Sequence, residues 1–371
     1  MKRDNAKGSR LDLSTTIPDT KPPAWLVAAT IVLVAACGSV SSATQPPTPS
    51  ASRIQLDPTR WIVYQTCITC NGAGAQIWVA HPDGIGDHRI STLGVPSQHP
   101  DFSRDGKWIA YDWYLPSASA AAQIDVTAAD GSDPHHLAFT CTAPSCLAYQ
   151  RPAWSPDGAR LAITKDFGPL RNNLPIANGI AILDLASGRV SQVTKHVVTE
   201  GQDVYPRWSP DGQSLVFWRD RSCPGEVQAA LCAESGYANE AAIFIVRSDG
   251  TNLHQLTPWD ELAGDPDWSP DGQKIVYSTH PLRIDWPNQV ESELVSIRPD
   301  GAGRTVLTKF GLGGPRGTEP RWTPDGTAVL YTKESYEPDF SRHIWVIGAD
   351  GKSDAPVLTT RQNCTNGVLQ A

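Results

Sequence analysis

Five charged or aromatic residues recur at one position of a repeated segment, each directly before a proline. They are His99, Arg151, Tyr205, Asp265 and Glu319. The residue after the same proline adds a second charged set: Asp101, Arg207, Asp267 and Arg321. Carboxylates that oppose guanidiniums in a concave site can hold a peptide, a sugar or a cation. We therefore predict that these nine side chains bind a ligand. The competing interpretation is that they pair with one another and only stabilise the fold.

The segment that carries these residues occurs five times, as variants of Pro-x-Trp-Ser-Pro-Asp-Gly followed by an apolar run. The leading prolines are Pro100, Pro152, Pro206, Pro266 and Pro320. In the turn, proline presets φ, aspartate bonds back to the backbone, and glycine accepts a positive φ. Each copy therefore predicts two strands joined by a tight turn. The recurring aspartates are needed by that turn, so they are poor catalytic candidates: Asp157, Asp211, Asp271 and Asp325.

A second pattern lies between these copies and occurs six times: an apolar run, an Asp-Gly or Ser-Gly pair, and a shorter apolar segment. Such a pair between apolar runs is a strong hairpin signal. A sixth, degenerate copy of the first pattern occupies residues 54–64, where Ile62-Val63-Tyr64 matches the second strand. Together the hairpins predict an all-β fold, a six-bladed β-propeller of four-stranded antiparallel blades over residues 53–360. Residues 361–371 are then a C-terminal tail.

A propeller of this kind has two different faces. All the Asp-Gly turns lie on one face, here called the turn face, and the loops that join hairpins and blades lie on the other, the loop face. Propellers bind ligands at the axis or across the loops, so the residues before and after the leading prolines are predicted to line the channel mouth. The long loop at 219–240 and the segment 283–287 are further candidate contact surfaces on the loop face.

The repeated Pro-x-Trp-Ser-Pro-Asp-Gly with its following Asp-Gly hairpin resembles the WD-like repeat of TolB-type β-propellers. The resemblance covers nearly all of residues 53–360 and implies a six-bladed propeller in the bacterial envelope. TolB itself is a periplasmic partner of a peptidoglycan-associated lipoprotein and has an additional α/β domain before its propeller. Similar propellers cap serine peptidases of the prolyl oligopeptidase type. The Gly-x-Ser-x-Gly motif of their hydrolase domain does not occur in this sequence.

Residues 1–36 are typical of an export signal. Basic residues precede an apolar run at 25–36, which as a helix spans about 18 Å, too short for a hydrocarbon core of about 30 Å. Ala35-Ala36-Cys37 looks like a bacterial lipobox, in which lipid on Cys37 anchors the protein to the outer face of the cytoplasmic membrane or within the envelope. Residues 37–52, rich in Ser, Thr and Pro, predict a flexible tether. The alternative is an ordinary cleavable signal or a short uncleaved anchor.

The seven further cysteines are predicted to be oxidised after export. They are Cys67, Cys70, Cys141, Cys146, Cys223, Cys232 and Cys364. We predict two local disulfides, Cys141–Cys146 and Cys223–Cys232, and a bridge from Cys364 to Cys67 or Cys70 that fastens the ring. Redox or zinc chemistry at Cys67 and Cys70 is disfavoured, because the pair follows a strand and does not open a helix.

The net charge of the chain disfavours one class of partner. Lys and Arg number 31 against 39 Asp and Glu, a net charge of −8, which argues against nucleic acid. We predict a monomeric scaffold that binds an envelope protein or glycan and needs no cofactor. The alternative is a metal-assisted propeller enzyme, lactonase-like or lyase-like, with Asp101, Asp265 and Glu319 as oxygen ligands. Neighbouring arginines oppose a cation there, and no residue is assigned a catalytic role.

Overall fold

Antiparallel strands account for almost all of the regular structure. The computed structural model describes residues 54–66, 74–92, 94–114, 122–137, 146–171, 174–194, 196–197, 201–221, 240–279, 291–311, 314–335, 341–358 and 364–369. Of residues 168–171, 174–177, 196–197, 364–366 and 369 it describes the backbone alone.

The first three blades are antiparallel sheets. Each is ordered from an innermost to an outermost strand, and blade 3 has an additional short strand, β12, beside β10. Blade 1 comprises β25 (Cys364–Leu369), β1 (Ile62–Thr66), β2 (Gln76–Ala80) and β3 (His88–Arg89); blade 2 comprises β4 (Ser97–Phe102), β5 (Trp108–Trp113), β6 (Gln123–Ala128) and β7 (His135–His136); blade 3 comprises β8 (Ala148–Trp154), β9 (Arg160–Arg171), β10 (Leu174–Asp184), β11 (Val190–Gln192) and β12 (His196–Val197).

The last three blades have the same four-stranded antiparallel order, and a short 3-10 turn, Trp259–Glu261, leads into blade 5. Blade 4 comprises β13 (Gln202–Trp208), β14 (Ser214–Asp220), β15 (Ala241–Arg247) and β16 (His254–Gln255); blade 5 comprises β17 (Ala263–Trp268), β18 (Ile275–Thr279), β19 (Ser292–Ile297) and β20 (Thr305–Phe310); blade 6 comprises β21 (Arg316–Trp322), β22 (Ala328–Glu334), β23 (Arg342–Gly348) and β24 (Ala355–Leu358). The predicted six-bladed propeller is confirmed.

The innermost strand of blade 1 corrects the sequence analysis. Residues 54–61 were expected to supply it, but they form no strand, and β25 from the end of the chain takes the position beside β1. The propeller therefore extends to Leu369, so the expected boundary at residue 360, with a tail beyond it, is wrong. Ile62-Val63-Tyr64 does form the second strand, as predicted. The ring is closed by pairing of the last strand with the first.

The core is divided among the blade interfaces. Six apolar clusters of described residues each join two neighbouring blades, and together they run around the whole ring. The repeated aromatic before each Ser-Pro-Asp-Gly turn belongs to them: Trp154 packs between blades 2 and 3, Trp208 between blades 3 and 4, and Trp322 between blades 5 and 6. Burial of such large rings stabilises the contact of one sheet with the next.

The inner turns form as their sequence predicts. In all five, the hydroxyl of the Ser or Thr donates to the turn aspartate at 2.5–2.6 Å. The turn glycine has a φ between 67° and 70°, a conformation that glycine adopts at little cost. These aspartates are occupied in holding the turn, which supports their exclusion as catalytic residues.

Candidate functional site

Each inner strand of blades 2 to 6 carries a β-bulge at the residue before its proline. The strand registers shift there, and these residues all have a φ between 51° and 56°: His99, Arg151, Tyr205, Asp265 and Glu319, here called the bulge ring. A residue before proline normally stays extended, and a non-glycine residue with positive φ costs of the order of 1–3 kcal/mol. A bulge re-aims side chains, and such strain persists where the surrounding structure enforces it. In blade 1 the corresponding shift falls at Asn366 and Gly367.

The first half of the bulge ring is cationic and aromatic. The ring of His99 lies with Nδ1 2.8 Å from Asp112 Oδ1, and its Nε2 is 3.4 Å from the hydroxyl of Tyr205, two blades away. The guanidinium of Arg151 lies 4.6 Å above the centre of the Tyr205 ring. Within the described residues Arg151 makes no ion pair, and its buried Nε has no acceptor. Its Nη1 donates to the side chain of Gln150 at 3.1 Å. Burial opposes the charge of Arg151, but Tyr205, Asp112 and Asp166 raise its pKa, so this half carries a stable positive charge.

The second half of the bulge ring is acidic. Asp265 is 3% exposed, and its Oδ2 accepts the backbone N–H of Glu319 at 3.3 Å. The Glu319 carboxylate accepts the hydroxyl of Thr332 at 3.1 Å. Burial, and then repulsion from Asp265 and Glu334, raise the pKa of Glu319 to about 7. The loop side of the channel is thus divided into a positive and a negative half.

Glu319 makes the stability of the protein depend on pH. Its pKa rises from 4.5 in an unfolded chain to about 7 on folding, so between these values the folded state binds more protons. Its contribution is complete below the lower value and is lost as the pH rises through the higher one. Relative to Glu319→Gln, we expect the wild type to lose about 1 kcal/mol or more of unfolding free energy between about pH 5 and about pH 8. Urea unfolding across this range measures the difference, and parallel profiles for the two proteins would contradict it.

The residues after the leading prolines form a second layer of the channel, here called the charge ring: Asp101, Arg207, Asp267 and Arg321. A guanidinium nitrogen of Arg207 lies 3.4 Å from Asp101 Oδ1, across the small Ala153 of blade 3. Burial, and then the neighbouring Arg321, lower the pKa of Arg207. Burial raises the pKa of Asp101 and of Asp267.

The two aspartates of the charge ring also connect blades. Asp101 accepts the backbone N–H of Trp154 and Asp267 that of Trp322, each at 2.9 Å and each in the next blade. The charge ring therefore agrees with the competing interpretation, in which these charges pair among themselves and stabilise the inner strands. The bulge ring does not, because no ion pair joins Arg151 to Asp265 or Glu319 in the described part of the chain. The bulge ring and the charge ring therefore have different surroundings, although the repeat pattern in the sequence does not distinguish them.

Some residues of this region were not predicted. Asp112, in the second strand of blade 2, holds His99 and also accepts the backbone N–H of Arg151 at 3.1 Å. Asp166 accepts the side chain of Gln150 at 2.9 Å, and burial raises its pKa to about 6 against the opposing charge of Arg151. A carboxylate inside an otherwise apolar strand, as in Trp108-Ile109-Ala110-Tyr111-Asp112, was the available signal.

Several predicted features lie outside the described residues. These are the signal and tether at 1–52 with Cys37, the cysteines Cys67, Cys70, Cys141, Cys223 and Cys232, the segment 283–287 and most of the loop at 219–240. The base of that loop is described: the N–H of Arg221 donates to the carbonyl of Glu240 at 2.8 Å. Cys146 is buried and disulfide-bonded. Its predicted pairing with Cys141, like the bridge from Cys364, stays a prediction.

The described residues contain no cluster of three or more His, Cys, Asp and Glu side chains placed to hold a metal ion. In the same part of the chain, no helix is both long enough and apolar enough to cross a membrane.

Comparison with known proteins places the fold in a family. The family model of the TolB beta propeller domain matches residues 60–367. An uncharacterized protein of Agrobacterium fabrum is 29% identical over 185 residues, 48% of this chain and 53% of that protein. The chain spans about half, or less, of the length of the curated relatives it matches.

Two solved structures show the same fold at low sequence identity. TolB of Acinetobacter baumannii superimposes with a TM-score of 0.62 at 18% identity, over 85% of this chain and 68% of that one. An oligogalacturonate lyase in complex with manganese gives a TM-score of 0.51 at 14% identity, over 80% of this chain and 78% of that one. At such identities the likeness concerns the fold alone. The family match, over most of the chain, shows that this protein belongs to the TolB β-propeller domain family.

Proposed function

We propose that this protein is an exported, lipid-anchored binding scaffold of the bacterial envelope, whose loop-side channel mouth receives a segment of a partner protein. The observation that carries the proposal is the divided bulge ring. Arg151 is partly buried and makes no ion pair within the described residues, and Asp265 and Glu319 present carboxylates from blades 5 and 6. A peptide segment with an anionic and a cationic group matches this arrangement on both sides.

A protein segment suits the mouth better than a glycan does. Sugars pack on open aromatic faces, but the Tyr205 ring already lies against Arg151 at 4.6 Å and against Trp218 at 5.9 Å. Trp, Tyr and Arg in a desolvated pocket are instead typical of the centre of a protein interface. The base of the loop at 219–240, where Arg221 pairs with Glu240, would enlarge the contact.

The enzyme alternative has weaker support. Its three expected ligands are distributed over two layers of the channel: Asp101 lies in the charge ring, and Asp265 and Glu319 lie in the bulge ring. Asp101 is engaged by Arg207 and by the N–H of Trp154, and Glu319 by Thr332. Oxygen ligands of a hard cation must converge on one point with free lone pairs.

Export and lipid anchoring of the protein are part of the same proposal. Export is supported by the basic lead and the apolar run at 25–36, and lipid attachment by Ala35-Ala36-Cys37. Membership of the TolB β-propeller domain family agrees with a site in the envelope. A lipid on Cys37 would hold the propeller near a membrane and leave the tether at 37–52 to set its reach.

Photo-crosslinking in intact cells tests the proposed function. A photoreactive phenylalanine analogue replaces Tyr114, which follows β5 on the loop face, and in a control protein it replaces Leu253, an exposed residue of the outer turn on the opposite face. We expect one envelope protein to be captured at position 114, and that product to disappear when Arg151→Met is added. Capture of the same protein with equal yield from position 253, or no effect of Arg151→Met, would contradict a loop-side site.

A further inference from the structure

The turn face has its own cavity at the channel axis. Its volume is about 440 Å³, within the range of sites that hold small ligands or short peptide segments. Its wall is built from the repeated aromatic of five blades: Phe102, Trp154, Trp208, Trp268 and Trp322. The turn prolines of four blades complete it: Pro156, Pro210, Pro270 and Pro324. The five hydrogen-bonded Asp-Gly turns hold this wall rigidly, so the cavity is preformed.

The repeat departs from its own pattern at this cavity. In blade 2 the turn reads Ser103-Arg104-Asp105-Gly106, so Arg104 stands where the other four blades have proline. Arg104 is exposed and makes no hydrogen bond or ion pair within the described residues. An unpaired guanidinium at the rim of an apolar cavity favours a guest with a negative charge.

The buried polar atoms of the wall also favour a guest with a negative charge. The indole N–H groups of Trp154, Trp268 and Trp322 are buried and have no acceptor in the described part of the chain. The cavity reaches the charge ring at Asp267, whose charge is opposed by Arg321 and Arg207 behind the lining. Each of these two arginines has a buried Nε without an acceptor in the described residues. All of these unsatisfied groups are donors. The positive ends of these groups favour a guest with a negative charge over one with a positive charge.

The carboxylates around the cavity are already engaged. Asp267 accepts the backbone N–H of Trp322 at 2.9 Å. Asp325 accepts the hydroxyl of Thr323 at 2.6 Å and the N–H of Thr327 at 3.1 Å, and the other turn aspartates are held in the same way by their own turns. The remaining cation of the wall, Arg60, lies 3.5 Å from Asp57. Arg104 is therefore the charge of the lining that is left for a guest.

We infer that the turn-side mouth binds an acidic peptide segment of a partner protein, with a carboxylate placed at Arg104 and apolar neighbours between the tryptophans and prolines. A peptide fits better than an anionic sugar, because the indole rings are packed between blades and Trp208 already lies against Arg160 at 4.6 Å. The site lies on the face opposite the bulge ring and goes beyond the proposed function. A propeller with both mouths occupied would connect two partners along one axis.

The experiment uses the whole propeller and an array of heptapeptides with a central Glu or Asp flanked by Pro and Leu, paired with copies that carry Gln or Asn. Binding is followed by fluorescence of the mouth tryptophans. We expect some acidic peptides to bind with a Kd of about 10–100 µM and their amide copies at least about tenfold more weakly. Arg104→Pro restores the Ser-Pro-Asp-Gly turn sequence of the other blades, so this variant should fold normally. Its affinity for the acidic peptides should be about tenfold lower.

Two controls separate this site from other effects. Arg189→Glu changes an exposed arginine in an outer turn of the same face, and Arg151→Met changes the loop-side mouth. Both should bind the acidic peptides as the wild type does. The inference is overturned if no acidic peptide binds below about 1 mM, if the amide copies bind equally well, or if Arg104→Pro binds as the wild type does. Binding of a hexuronate oligomer in place of the peptides would likewise overturn it. None of these outcomes bears on the loop-side site, which is tested by its own variants.

Discussion

A protein that ends at residue 360 will fail to form a stable propeller. The missing strand, β25, is the innermost strand of blade 1 and the one that joins the end of the chain to its start. Its loss removes the ladder with β1 and uncovers the cluster that Val368 helps to cover, formed by Val63, Ile77 and their neighbours. Burial of each large apolar side chain contributes about 1.5–3 kcal/mol, and unpaired strand groups add to the loss. We expect a total of about 5 kcal/mol or more, comparable with the whole stability of many domains.

Thermal unfolding followed by circular dichroism measures this loss. A chain that ends at Leu369, and so lacks only two residues, should keep the wild-type Tm. Gly367→Val should fall between the two, because a Cβ at position 367 would lie 2.8 Å from Ile344 Cδ1, and overpacking of this kind costs about 1–3 kcal/mol. Equal Tm values for the chain ending at 360 and the full chain would contradict closure by β25.

The repeats predict most of the fold because each copy carries its own local chemistry. In all five copies of the Ser-Pro-Asp-Gly turn, the Ser or Thr hydroxyl donates a hydrogen bond to the aspartate, and the glycine has a positive φ. The local structure of one copy therefore predicts that of the others. The count of six follows from the outer Asp-Gly hairpins, which are the most regular signal in the chain. Neither inference needs any contact between residues that are distant in sequence.

The closing strand was missed because its sequence has lost the repeat. At the bulge position Asn366-Gly367 replaces the residue and proline of the other copies, and Leu369 stands where the others have an aromatic. No Ser-Pro-Asp-Gly turn marks this strand in the sequence. Residues 54–61 precede a real second strand and so occupy the expected slot in sequence. Ring closure, which local patterns do not record, decides between the two.

The sequence predicts which strands carry the nine side chains, but it does not predict how those side chains pair. All nine predicted side chains belong to the inner strands of the channel, as the spacing of the prolines indicates. The sequence does not show that Arg207 reaches Asp101 across blade 3 at 3.4 Å, because that distance depends on Ala153 between them and on the closed ring. Nor does it show that Asp112 holds His99 at 2.8 Å. Pairing across blades is a property of the assembled ring.

The two mouths of the channel differ in construction. The loop-side mouth is polar and divided by charge, whereas the turn-side mouth is aromatic and marked by Arg104. The charge ring lies between them, and within it Arg207 pairs with Asp101. Under the proposed function, such a propeller would present different surfaces to different partners on its two faces.

Titration calorimetry with the partner captured at position 114 is the most direct test of the loop-side site. Removal of one charge from a desolvated interface pair typically costs about 2 kcal/mol or more, which is about 30-fold in Kd. We predict that Arg151→Met and Glu319→Gln each raise the Kd for the partner by about this factor. Arg104→Pro should leave this Kd unchanged, and all three proteins should stay folded. Wild-type affinity in both folded loop-side variants would contradict the account.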